Sequence, residues 1–104
     1  MNTLDLLKAG RALLADPKNW TTGYNARDHL GEPVMPQSPN ATCWCSYGAA
    51  FKLDPLNSPE ADFVNHLQRA IGELHPLKQG MGIDTHSHQQ VLAVWDKAIE
   101  DASA

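Results

Sequence analysis

The sequence predicts a mainly α protein, a compact four-helix domain with a short β-hairpin between helices 1 and 2. Two observations carry that prediction. Apolar residues recur at helical spacing in four stretches separated by Pro and Gly, and the 104 residues fit a single domain spanning 1–104. A third feature marks the centre of the fold. In a chain that is 19% charged, the run from Pro33 to Phe51 holds no charged residue, and such a run reads as a buried element.

The first helix is expected from about Thr3 to Ala15, with Leu6, Leu7, Gly10, Leu13 and Leu14 on one face. Asn2 or Thr3 caps its start and Asp16-Pro17 stops it. A connection rich in Pro, Gly, Asn and Thr follows, from Lys18 to Asn40. Within it Tyr24 to Asp28 and Pro33 to Met35 flank His29-Leu30-Gly31-Glu32, where glycine supplies the positive φ of a tight turn. These are the two expected strands of the hairpin.

Helix 2 is expected from Asn40 or Ala41 to Leu53. Its wheel places Trp44, Tyr47 and Phe51 in an aromatic stripe beside a small-residue stripe of Ala41, Cys45, Gly48 and Ala49. Glycine weakens a helix interior, so Gly48 implies that another backbone approaches there. Ser58-Pro59-Glu60 opens helix 3, whose apolar positions are Phe63, Val64, Leu67, Ala70, Ile71 and Leu74. Ser87-x-x-Gln90 forms a capping box for helix 4, with Val91, Trp95, Ala98 and Ala102 as its core stripe and Val94 and Ile99 beside it.

Composition narrows the function classes. The net charge of −4 comes without a lysine or arginine stripe, so nucleic acid is not expected as the main partner. No apolar run nears the roughly 20 residues of a membrane-spanning helix. Two cysteines one residue apart make no loop-closing disulfide framework, and a cytoplasmic setting is expected.

Three groups of residues carry candidate chemistry. Cys43 and Cys45 with His86 and His88 offer ligand types that zinc accepts. On a helix, however, residues two apart differ by about 200° around the axis, so helical phase separates the thiols and no metal or cofactor is expected. A thiol-dependent hydrolase is the second form, with Cys43 as nucleophile, His86 or His88 as base and Asp84 as orienter. No glycine-rich oxyanion loop accompanies it. Asp84, His86 and His88 are also ligand-binding candidates, because free backbone N–H groups at a helix start bind anions. Capping by Thr85, Ser87 and Gln90 accounts for much of that segment without a ligand. Finally, Trp20, Tyr24, Arg27 and Asp28 in the hairpin region are of types common at partner contacts and are partner-binding candidates. Core anchoring of Trp20 and local pairing of Arg27 with Asp28 or Glu32 stand as the structural alternative.

Trp20-x-x-Gly23, Ala26-Arg27-Asp28-x-x-Gly31-x-x-Val34, Ala41-x-x-Trp44-Cys45-x-x-Gly48-Ala49, and Ile83-Asp84 leading to Val91 and Ala98-Ile99 form a further pattern. It resembles a family of small bacterial and phage proteins of unknown function with a Trp-Cys-x-x-Gly-Ala helix motif. Cys45 matches that motif and Cys43 does not. Before the last helix, where such proteins tend to carry Trp-Asn-Asp, this chain has Gly82-Ile83-Asp84. The resemblance implies a setting and no reaction. The resulting expectation is a non-catalytic interaction protein that binds a protein partner or itself, in one form an accessory or counter-defence protein acting on a host protein. A small-ligand or metal-binding protein using the 84–88 loop is the alternative.

Overall fold

The computed structural model of the chain describes residues 2–54, 60–74 and 87–103, with side chains in the middle stretch described from 65 onward. Among the described residues there are four α-helices and a two-stranded antiparallel hairpin between the first two. The helices are α1 (Thr3–Leu14), α2 (Ser46–Leu53), α3 (Glu60–Leu74) and α4 (His88–Ser103); the strands are β1 (Ala26–Arg27) and β2 (Cys43–Trp44).

Helix α1 begins where Asn2 predicts, its side chain accepting from the Asp5 N–H at 2.8 Å. At its other end two orphan carbonyls find side-chain donors. Asn19 Nδ2 bonds Leu13 O at 2.9 Å, and His88 Nε2 lies 2.7 Å from Leu14 O. A carbonyl only accepts, so Nε2 of His88 carries the proton. Helix α4 starts on its capping box: Gln90 Oε1 accepts from Ser87 N at 3.0 Å, and Ser87 Oγ accepts from Gln90 N at 3.3 Å.

The core is the sum of the four apolar stripes. Leu6, Leu7 and Leu14 of α1 meet Ala49 and Ala50 of α2, Leu67, Ala70 and Ile71 of α3, and Val91, Val94, Trp95 and Ala98 of α4. Helix α1 packs against all three other helices, and α4 packs against both α1 and α3. Leu13, Ile99 and Ala102 flank the core, half-buried, while Leu74 is exposed at the end of α3. The expected core positions Phe63 and Val64 and the capping sequence at 58–59 lie outside the described residues.

Helix α2 corrects the expected boundary. It starts at Ser46, not at Asn40 or Ala41, because Cys43 and Trp44 are extended and paired with β1. Cys45, also extended, is the N-cap: its Sγ accepts from Gly48 N at 3.3 Å. The Trp44, Tyr47, Phe51 stripe is therefore no helical face. Backbone pairing with a distant segment overrides the local period here. Gly48 behaves as the sequence implies, since a Cβ built there would lie 2.7 Å from the Asn25 carbonyl carbon and closer still to its oxygen.

Across α3 and α4, Lys97 Nζ lies 3.5 Å from Glu73, 3.9 Å from Glu100 and 3.2 Å from Asp101. Partial burial pushes the Asp101 carboxyl up. The hydrogen bond from Lys97 and the charges of Lys97 and Arg69 outweigh that and hold it below its ordinary 3.8. The hydrogen bond and charge of Asp101, with Glu100 and Glu73 adding to them, raise Lys97 above 10.5. A lowered carboxyl pKa adds stability that is complete above 3.8 and disappears as pH falls through the folded value. A raised lysine pKa adds stability that is complete below 10.5 and disappears as pH rises through its folded value. Melting temperature against pH for the native chain and Asp101→Asn should therefore differ at neutral pH and converge in acid below 3.8. A gap that persists unchanged in acid would contradict this assignment.

Candidate functional site

The long connection between α1 and α2 is a small irregular ribbon. At its centre β1 and β2 pair with Ala26 opposite Trp44 and Arg27 opposite Cys43. Beyond β2, Trp20 forms a parallel bridge to Trp44, with Thr21 N donating to Trp44 O at 3.0 Å. Beyond β1, Arg27 bridges Pro33, and Val34 N donates to Ala26 O at 3.1 Å. The expected second strand, Pro33 to Met35, thus supplies one flank of β1, and the main partner of β1 comes from farther along the chain.

Three side chains, those of Arg27, Asp28 and Trp44, fix this ribbon. Arg27 Nε donates to Thr21 Oγ1 at 3.0 Å, Nη1 to Gly31 O at 2.9 Å and Nη2 to Thr22 O at 3.0 Å. Its guanidinium carbon sits 4.7 Å from the centre of the Tyr24 ring. Asp28 Oδ1 accepts from Leu30 N and Glu32 N at 2.9 and 3.0 Å, shaping the turn in which Gly31 takes φ 82°. Trp44 Nε1 donates to Pro36 O at 2.9 Å and pins the returning strand.

Of the partner-binding candidates, then, Arg27 and Asp28 hold the loop itself. Trp20 is half-buried against the core, its ring 5.6 Å from that of His88. Tyr24 is 52% exposed. Arg27→Ala removes three hydrogen bonds and the support of Tyr24, and is expected to cost about 1–3 kcal/mol. Arg27→Lys should recover little of it, because an ammonium cannot reproduce the three-way fork; urea denaturation reads both changes.

The sequence singled out neither Leu30 nor Met35. Leu30 stands 74% exposed on the turn and Met35 71% exposed where the chain leaves the ribbon. Beside Met35 lies an open depression of about 240 Å³ lined by Asn25, Met35, Pro36, Gln37 and Phe51. Gln37 Nε2 bonds Phe51 O at 2.8 Å across it. Only hydrophobicity at turn positions could have pointed to Leu30, and Met35 falls on an expected strand, where burial is the default.

Among the ligand-binding candidates, His88 closes the end of α1, and Asp84 and His86 lie outside the described residues. Cys43 is half-buried and Cys45 buried. Among the described residues no three His, Cys, Asp or Glu side chains converge in a way that could hold a metal ion.

The model of a family of unknown function, DUF6197, matches residues 1–101. The chain belongs to this family. No curated protein and no solved structure matches it. Membership in DUF6197 covers the whole helical core and the ribbon together, so the Arg27 clamp and the exposed Leu30 and Met35 fall within the family's extent. Among the described residues, no helix of this DUF6197 member is long and apolar enough to cross a membrane.

Proposed function

We propose that this chain is a non-catalytic interaction protein that works in the cytoplasm and contacts a protein partner through the outer side of the 20–40 ribbon. One observation carries the reading. Of the four exposed large hydrophobic residues among the described ones, Tyr24, Leu30 and Met35 belong to this ribbon and only Leu74 lies elsewhere. Apolar side chains held out on a ribbon already fixed by Arg27, Asp28 and backbone pairing lose little further freedom on binding. Aromatic and methionine side chains are also enriched at interface cores. An accessory or counter-defence protein of bacterial or phage origin, blocking a host enzyme by surface complementarity, is one form of this function.

The test is photo-crosslinking in cells that naturally carry the protein. A benzophenone side chain placed at Leu30 or at Met35 should join one and the same protein, and Leu30→Glu with Met35 labelled should abolish the adduct. The same label at Asp96, on α4 where it pairs with Arg11 of α1, should join nothing. Equal labelling at all three positions, or none at any, contradicts the proposal.

A further inference from the structure

Extended backbone at 43–45 changes what the two cysteines can do. Side chains alternate along an extended chain, so Cys43 and Cys45 lie on one side of it and Trp44 on the other. Their sulfurs sit over alternate positions of the neighbouring segment, on either side of Ala26. Cys43 Sγ is 3.9 Å from Arg27 O, and Cys45 Sγ is 3.6 Å from Asn25 Oδ1. Two strand steps separate their Cα atoms by about 6.6 Å, at the wide end of the span of roughly 4.4–6.8 Å that a disulfide accepts. The chain has no third cysteine.

We propose that Cys43 and Cys45 are a reversible redox modification site, oxidised to an intramolecular disulfide by a hydroperoxide. Cys43, the more accessible, attacks as thiolate and takes one peroxide oxygen, becoming a sulfenic acid while the hydroperoxide leaves as alcohol or water. The Cys45 sulfur then displaces the sulfenic oxygen, which departs as water. Two thiols and one hydroperoxide become one disulfide, one alcohol or water, and one further water. Two electrons pass from the sulfurs to the peroxide. Closing the bond draws the sulfurs together, so β2 must pucker, and bonds formed under such strain are readily reduced again.

The same movement withdraws Cys45 Sγ from the Gly48 N–H, removing the N-cap of α2. Capping alone needs no sulfur, since Ser, Thr, Asp and Asn serve better at this position. Oxidation therefore loosens the joint on which the ribbon with Leu30 and Met35 is mounted. Only that last consequence rests on the proposed function, and the test below needs no partner.

The reduced 104-residue chain is titrated with hydrogen peroxide and followed by intact mass, thiol counting and melting. Both thiols are expected to disappear together with the mass of two hydrogens, without dimers. Melting should fall by about 5 °C, the scale set by loss of one cap, and dithiothreitol should restore it. Cys45→Ser keeps a capping oxygen, so it should fold; peroxide should then add oxygen to Cys43 without lowering the melting temperature. Oxidation of one thiol alone in the native chain, cross-linked dimers, or a bridge that leaves melting unchanged would overturn the proposal.

Discussion

Gly48→Ala is expected to destabilise the protein by about 3 kcal/mol or more, melting it roughly 15 °C lower. The sign is opposite to that of an ordinary helix position, where glycine to alanine gains about 1 kcal/mol. The added methyl would strike the Asn25 carbonyl, which is backbone and cannot rotate away. That carbonyl also accepts the Cys45 N–H at 3.2 Å, so retreat of the strand breaks the link between ribbon and helix. Gly31→Ala provides the comparison. Its Cβ would meet open space, and only the positive φ is penalised, for about 1–2 kcal/mol. Thermal and urea unfolding of both variants should rank Gly48→Ala well below Gly31→Ala. A neutral or stabilising Gly48→Ala would remove the close approach on which the described joint depends.

Trp95→Ala is expected to cost about 3–5 kcal/mol, the range for emptying a fully buried aromatic site. The Trp95 ring is completely inaccessible, its Nε1 donates to Ser46 Oγ at 3.0 Å, and its six-membered ring covers Gly10 of α1. One side chain thus joins α4, α1 and the first residue of α2. At Gly10 a Cβ would fall 2.5 and 2.6 Å from two ring carbons, so Gly10→Ala should be harmful while Trp95 is present. In the Trp95→Ala background the same methyl has room, and Gly10→Ala should become nearly neutral or helpful. That coupling, measured as a double-mutant cycle by urea unfolding, distinguishes direct contact from two independent losses. Additive costs would contradict the packing described.

The parts of the fold governed by short-range rules were legible in the sequence. Asn2, the Leu6, Leu7, Gly10, Leu14 face, the Ser87 and Gln90 box and the turn glycine at Gly31 all act through neighbours a few residues away. Gly48 was legible for another reason: a glycine in a helix needs an explanation, and close backbone approach is the physical one. The start of α2 was hidden because Trp44, Tyr47 and Phe51 happen to fall at helical spacing, while the backbone pairing that decides the matter sets Cys43 opposite Arg27, sixteen positions earlier. A cysteine at the N-cap gave no capping signal either.

The candidate surface was only half visible. Residue type drew attention to Trp20, Tyr24, Arg27 and Asp28, yet hydrogen-bond partners decide that Arg27 and Asp28 shape the loop. Leu30 and Met35 carry no chemical signature; their interest comes from being apolar and left outside the core, which sequence periodicity cannot report for a short connection. Helical phase separates Cys43 from Cys45 only within a helix, and the extended backbone at 43–45 puts both on one side of the chain.

An ordered ribbon seated on α2 is the claim on which the rest stands, and amide hydrogen exchange under native conditions tests it directly. The amides of Thr21, Val34, Thr42 and Cys45 donate to Trp44, Ala26, Arg27 and Asn25 across the ribbon. They should be protected to a degree approaching that of Ala49 in α2. Exchange of these four at the rate of unstructured chain while Ala49 stays protected would contradict it.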